Sequence, residues 1–355
     1  MLDIKFYMNF DKLMDEIGST IVDEKTLFDA LDKIRSREPV VYNIETTNRC
    51  NMRCEMCPRT TMMTRPIEDI DRDTFCKVVD QITPHDNTIW EQWKTFCEKK
   101  YGIREDDEPS ENHFFLYVIS KVIQLHGYGD PLLDKHIGEY VQILTDAGFP
   151  TYFSCNPANI DLKKTYRMLD AGLSYIKYSI ESVNDDEYKN IRGNAANFSK
   201  SYNDILKVID YKHKRQLDTT IVITMLNLNR SNQKEEFDKL IEAFKGTDTY
   251  VYLKSEDCQW YRKDYHGTES IHWTEPCKHP WMTMTIKSNG AAAMCMEDYN
   301  NDIEFGNVRD QSLRQIWESE KYKCFRMNHI MCSENIRCKH KCDMKLMGDL
   351  LREFA

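Results

Sequence analysis

From Val40 onward, short apolar runs alternate with stretches whose apolar residues recur every three or four positions. The runs have the length and the β-branched, aromatic content of buried strands; the recurrences suit amphipathic helices. The pattern predicts strands over Val40–Thr47, Lys121–His126, Pro150–Ser154, Tyr175–Ile180, Thr219–Met225 and Thr249–Leu253. Between them it predicts helices over Asp71–Ile82, Asp134–Ala147, Leu162–Ala171, Asp185–Ile191, Lys200–Lys214 and Glu235–Phe244. Such alternation implies a parallel sheet with helical crossovers, doubly wound or wrapped into a partial barrel. Residues 1–39 read as a helical prelude, with Ile17, Ile21 and Val22 and then Leu27, Phe28, Leu31 and Ile34 at helical spacing.

Two segments break the rhythm. Residues 83–113 form an insertion that holds Trp90, Trp93, Phe96 and Tyr101 and then the acidic run Glu105–Glu108. Its aromatics fit one side of a helix, so it is expected to pack rather than to serve as a substrate lid. After Ser255 the alternation stops, and residues 277–342 carry six cysteines around short strand-like pieces and one helix, Ser312–Glu318. The expected division is an N-terminal helical segment (1–39), an α/β body (40–255) and a small cysteine-rich C-terminal domain (256–355).

Composition narrows the class. With 355 residues, 41% hydrophobic and 30% charged, the chain has enough apolar material for a sizeable core, which excludes a mainly disordered protein. The longest apolar stretches, Phe114–Ile119 and Ala291–Met296, fall far short of the ~20 residues of a membrane span. Met1–Asp11 lacks a basic-then-apolar layout, so no secretory signal is expected. A net charge of −10 argues against nucleic-acid or anionic-membrane partners. A soluble cytoplasmic protein is the expectation. In that reducing setting 13 cysteines, an odd number, point to metal rather than to disulfides.

Three of them stand in Cys50-Asn51-Met52-Arg53-Cys54-Glu55-Met56-Cys57, directly after the first strand. At this chain's cysteine content the spacing arises by accident about 0.02 times. Steps of four and three would also put the thiols on one helix face, but Pro58 and the Asn/Arg-rich surroundings favour a loop. A loop beyond a strand's C-terminal end is where α/β folds build active sites. Zinc or a closed cluster wants four protein ligands, and no fourth cysteine or histidine lies nearby. Three thiolates on a 4Fe–4S cluster leave one iron open to substrate or cofactor.

The triplet at this place resembles the radical S-adenosylmethionine (SAM) superfamily. In that family, SAM chelates the open iron, and one electron from the cluster releases a 5′-deoxyadenosyl radical that abstracts hydrogen from substrate. Further elements of the resemblance follow in order. His126-Gly127-Tyr128-Gly129-Asp130-Pro131 resembles the family's glycine-rich turn after the second strand, with Asp130 where Glu is commoner. Asn156 matches a polar position after the third strand, Ser179-Ile180-Glu181 a serine-x-acid segment after the fourth, and Arg192 the arginine that pairs with the SAM carboxylate. The resemblance thus implies cofactor contacts from Met56, Gly127, Gly129, Asp130, Asn156, Ser179, Glu181 and Arg192. It spans about residues 40–255 and implies a partial (β/α)6 TIM barrel. It also implies a low-potential electron donor such as flavodoxin or ferredoxin.

Cys277, the turn Asn289-Gly290, Cys295, Gly306-Asn307-Val308 and Ser312-Leu313…Ile316-Trp317 resemble the SPASM/twitch extension of such enzymes. Asn-Gly is a hairpin signal in its own right. Cys277 and Cys295 would supply two ligands of one auxiliary 4Fe–4S cluster, and Cys338 and Cys342, with Cys332 as an alternative, the others. Position 329 is His where the full pattern has Cys, and no cysteine follows Cys342, so one auxiliary cluster is favoured over two. A zinc knuckle is the alternative occupant, since soft thiolates accept either metal.

The expected function is therefore a radical SAM oxidoreductase or epimerase acting on a small polar or sugar-like molecule. Only 39 residues precede the first strand, which leaves no room for a fused peptide-recognition domain. A peptide- or protein-modifying maturase and a non-catalytic protein with structural zinc or iron–sulfur sites stay open. Cys258, after the sixth strand and outside both cysteine groups, is a candidate hydrogen donor to a substrate radical, with simple packing as its other reading.

Overall fold

A computed structural model describes residues 1–17, 23–254 and 277–331. Six strands, β1 (Val41–Ile44), β2 (Ile123–Gln124), β3 (Thr151–Cys155), β4 (Tyr175–Ser179), β5 (Thr220–Leu226) and β6 (Thr249–Lys254), lie in sequential order, each parallel to the next. This open, sequentially wound sheet is the expected partial barrel. The strands are shorter at both ends of β1 and β2 than the apolar runs suggested.

Alternation along the strands sorts two faces. Phe153, Cys155, Ile176, Tyr178, Ile221 and Ile223 point into a core shared with Phe75, Tyr140, Leu144, Met168, Ile205 and Leu240 of the crossover helices. Those helices run over Arg72–Val79, Ile137–Asp146, Leu162–Asp170, Phe198–Arg215 and Gln233–Ala243. Their starts follow from local chemistry: Asp71 and Asp161 each accept the backbone N–H three residues on, so each helix begins at its cap.

The opposite face carries Tyr152, Val222 and Tyr252, and a second core fills it. Its contents come from the N-terminal helix Ile4–Ile17 and from the insertion. Helix Asn87–Tyr101 buries Trp93 and Cys97; Trp93 Nε1 donates to the Leu116 carbonyl (2.8 Å), and the Tyr7 and Tyr101 hydroxyls are 2.7 Å apart. The insertion therefore packs, as its aromatic spacing suggested. The apolar stretch Phe115–Ile119, beyond it, forms a single π-helical turn. Phe114 lies against the tyrosines of that face, its ring 5.4 Å from Tyr152 and 5.5 Å from Tyr252.

The C-terminal region continues the same sheet. β7 (Met284–Ile286) pairs parallel with β1, and β8 (Ala291–Ala293) and β9 (Glu304–Asn307) follow antiparallel. Asn289-Gly290 does close the β7–β8 hairpin, with Gly290 left-handed at φ 80° and its N–H donating to the Lys287 carbonyl (2.8 Å). A capping box at Ser312 and Gln315 starts the helix Leu313–Trp317, and helix Glu320–Ile330 packs beyond it. No helix among the described residues is long and apolar enough to cross a membrane.

Candidate active site

The backbone beyond β1 is buried through Asn48: Glu45, Thr46, Thr47 and Asn48 are at most 1% exposed. Asn48 holds it in place, donating to the Pro66 carbonyl (2.7 Å) and accepting from the Glu68 N–H (2.7 Å). The chain then turns outward into the cysteine loop, which is not helical; a short helix starts only at Pro58. Cys54 is buried, and Cys50, Met56 and Cys57 are half-buried. Two backbone bonds zip this loop to the end of helix Asp185–Arg192: Arg53 N–H to the Arg192 carbonyl (2.9 Å) and Glu55 N–H to Ile191 (3.0 Å). Gly193, left-handed at φ 93°, permits the approach, since a Cβ there would lie 2.9 Å from the Arg53 Cβ.

The glycine turn lies on the other side. A Cβ at Gly129 would come within 2.8 Å of the Asn48 Cα and closer still to the Thr47 carbonyl, and one at Gly127 within 2.6 Å of the Glu45 Cγ. Both glycines are thus demanded by close packing on the chain that leads to the cysteines. Asp130 is turned towards protein: its Oδ1 accepts from the Leu132 N–H (3.0 Å), and its Oδ2 from Asn159 Nδ2 (2.6 Å) and the Asn156 N–H (3.2 Å). Glu181 and Arg192 meet as a forked ion pair, Nη2 to Oε1 at 2.6 Å, with Arg192 Nη1 3.8 Å from the Cys54 sulfur. Ser179 Oγ lies 3.3 Å from Ser154 Oγ.

Burial governs the thiols. It pushes Cys50 up to about 11, with Asp130 adding to the effect, and Cys57 up to about 12, with Cys54 adding. Cys54 is raised too, by burial against the pull of Arg192. Thiolates here need a cation, which bound iron would supply. Among the described residues no three His, Cys, Asp or Glu side chains converge as ligands of one ion. Three soft donors on one loop, an arginine beside them, and the buried Asn156 Nδ2 without a hydrogen-bond partner fit the cluster and SAM that the resemblance implies.

At the second cysteine group, Cys277 and Cys295 are both buried, on either side of the β7–β8 hairpin. The Glu297 N–H points at the Cys295 sulfur (3.5 Å). Two buried thiols fit part of a four-thiolate site. Cys258, Cys332, Cys338 and Cys342 lie outside the described residues. His329 is buried in helix Glu320–Ile330, its ring 4.7 Å from Phe325.

Sequence inspection passed over Glu45, Arg65, Lys287 and Ser288. Burial pushes the Glu45 carboxyl up, but Arg65, then Lys287 and the Tyr128 N–H, outweigh it and hold it at about 2. A buried acid at the end of β1 and a lysine-serine pair at a hairpin turn are ordinary features of a sequence. The β1–β7 pairing brings Glu45 beside Lys287 and Ser288, and Arg65 reaches them from the segment after the cysteine loop.

A family model described as the radical SAM superfamily matches residues 44–244, and one described as an iron–sulfur cluster-binding domain, SPASM, matches residues 277–343. Among solved structures, SuiB of Streptococcus suis bound to S-adenosylmethionine aligns with a TM-score of 0.52 at 12% identity, over 91% of this chain and 78% of that one. Native anSMEcpe with bound AdoMet aligns with a TM-score of 0.52 at 12% identity, over 86% and 88%. BtrN in complex with AdoMet and 2-DOIA aligns with a TM-score of 0.48 at 15% identity, over 88% and 95%. At these identities the likeness is one of fold.

Proposed function

The chain belongs to the radical SAM superfamily, and on that premise we propose that it oxidises or epimerises a small polar or sugar-like molecule. Membership brings a 4Fe–4S cluster and SAM as cofactors, and the SPASM match adds an iron–sulfur cluster-binding domain. When bound, the reduced cluster and SAM together supply a 5′-deoxyadenosyl radical that takes a hydrogen atom from substrate.

The observation that carries the substrate reading is the inner face of the sheet. Aromatic rings of Phe114, Tyr152 and Tyr252 pack together on it. There the strand alternation brings Ser154, Lys177, Ser179 and Thr224 to the same side, with His126 beside them. Burial, then Lys177 and Lys254, push His126 down to about 3, which keeps its ring neutral and able to hydrogen-bond at Nδ1. A polar face beside an aromatic cluster favours a compact hydroxylated molecule over a long apolar chain.

In this reading Cys50, Cys54 and Cys57 hold the cluster. Met56, Gly127, Gly129, Asp130, Asn156, Ser179, Glu181 and Arg192 bound the SAM side, with Asn156 Nδ2 as a ready donor and Arg192 as the charge beside the thiolates. Asp130 acts through Asn156 and Asn159, which it orients. Cys277 and Cys295, with two of Cys332, Cys338 and Cys342, hold one auxiliary 4Fe–4S cluster in a C-terminal domain, 256–355, that follows the 40–255 barrel. The auxiliary site would accept the electron of an oxidised substrate radical, whereas an epimerase needs a hydrogen donor, for which Cys258 is the candidate.

The test is substrate-dependent 5′-deoxyadenosine formation by the anaerobically reconstituted protein. One arm offers sugars, polyols and amino acids, the other short peptides. A rise with small polar compounds alone supports the proposal; a rise with peptides alone moves the chain to the maturases. With the true substrate in hand, Cys258→Ala separates the two chemistries. An epimerase should still abstract hydrogen yet form no epimer, whereas an oxidase should be unchanged.

A further inference from the structure

Glu45 touches three segments that lie far apart in the chain. Its Oε1 accepts from Arg65 Nη2 (2.5 Å) and from the Tyr128 N–H (3.0 Å) in the middle of the glycine turn. Its Oε2 accepts from both the N–H (3.2 Å) and the hydroxyl (3.1 Å) of Ser288 in the hairpin turn. Arg65 extends the link, with Nη1 3.3 Å from Ser288 Oγ and Nε donating to the Tyr299 carbonyl (2.8 Å). The Tyr128 hydroxyl donates to Glu297 (3.1 Å), two residues past Cys295, and its ring meets Tyr299 edge-on at 6.0 Å.

We propose that Glu45 is a positioning residue that couples the seating of the β7–β8 hairpin and the loop after Cys295 to the glycine turn, so that SAM affinity depends on the C-terminal region. Four donors saturate a carboxylate that is fully buried, which leaves it no second arrangement at low cost. Gly127 is pressed against the same side chain, so the turn must follow where Glu45 goes. A shift of the hairpin pulls on Oε2, and the Tyr128 N–H on Oε1 moves with it. Cys295 and Glu297 share one loop, so filling the auxiliary site bears on the turn through both Glu297 and Glu45.

The proposal rests on the reading that residues 126–131 face SAM, and hydrogen exchange of the reconstituted wild type tests that premise separately. SAM should protect 126–131 from exchange; without protection the site reading and the coupling fall together. With protection, Ser288→Ala and Glu45→Gln decide the coupling, each measured by SAM equilibrium binding and by the SAM-induced change in the reduced cluster's EPR signal. Ser288→Ala, which removes the hydroxyl's bonds to Glu45 and Arg65 but keeps the Ser288 N–H on Oε2, should weaken SAM binding a few-fold with iron content and melting temperature near wild type. Glu45→Gln should weaken it about tenfold, the order lost when a supporting partner is removed. Because Glu45→Gln strands the buried Arg65 charge, Glu45→Gln/Arg65→Met serves where the single variant does not fold. A merely structural Glu45 would lower melting temperature and leave SAM affinity unmoved. Wild-type SAM affinity in folded, iron-replete Ser288→Ala and Glu45 variants overturns the proposal.

Discussion

Cys50, Cys54 and Cys57 hang on a loop beyond the C-terminal end of β1, whereas Cys277 and Cys295 bracket a hairpin that is itself part of the sheet. The loop is held by backbone bonds to Arg192 and Ile191 and, at the Arg49 carbonyl, by the Asp130 N–H (2.7 Å), and two of its three thiols keep partial exposure. The hairpin thiols are 6% exposed each. A site that must admit a cofactor to an open iron needs the first arrangement. A cluster that only exchanges electrons is better served by the second, because burial excludes water and competing ligands. The two cysteine groups thus lie in two different mechanical settings.

The sharpest way to break this contrast is at the triplet. If the proposed assignment holds, Cys50→Ala, Cys54→Ala and Cys57→Ala should each bring reductive SAM cleavage below detection while the auxiliary iron stays bound, since each would remove one of only three protein ligands. Wild-type-like 5′-deoxyadenosine formation in any of them would sink the assignment. Iron analysis sharpens the contrast further. The reconstituted protein should hold about eight irons and the triple N-terminal variant about four. A wild-type value near twelve would mean two auxiliary clusters. Cys295→Ala should lose about four irons yet retain SAM cleavage, at weakened SAM affinity.

Stability effects are smaller. Arg192→Met removes one partner of a buried fork and leaves Glu181, 1% exposed, without its cation, which should cost about 3 kcal/mol in urea unfolding. Glu45 gives a pH signature. Its carboxyl is held at about 2 against an ordinary 4.5, so it stabilises the fold fully above pH 4.5 and loses that contribution as pH falls towards 2. The loss amounts to about 3 kcal/mol at most, and unfolding curves of wild type and Glu45→Gln/Arg65→Met between those pH values should converge. Least of all, Gly102→Ala should cost about 1 kcal/mol: φ is 67° there, and nothing lies within 4 Å of the added carbon.

Much of the barrel was legible because strand alternation is a local, period-two signal, and β3–β6 fall within two residues of the apolar runs. The triplet stands out in the sequence because three thiols in eight residues are improbable by chance. What escaped depends on distant pairing. Glu45 and Ser288 are 243 residues apart, and neither is unusual until β7 lies beside β1. The glycines at 127 and 129 were read through the cofactor, yet their neighbours are Glu45, Thr47 and Asn48. The pairing of Glu181 with Arg192 was likewise hidden, since the two positions were read as separate cofactor contacts.

The parallel pairing of β1 with β7 has a consequence for synthesis. β1 stands inside the sheet between β2 and β7, but its β7 neighbour is encoded roughly 240 residues downstream. A ribosome adding ~5–20 residues per second needs about 12–50 s to cover that distance. Throughout that interval one hydrogen-bonding edge of β1, whose four residues are all buried in the finished protein, is bare beside the nascent chain. Bare strand edges recruit other strands. A chain ending before Cys277 keeps that edge permanently open, and static light scattering should find it associating where the full chain stays dispersed.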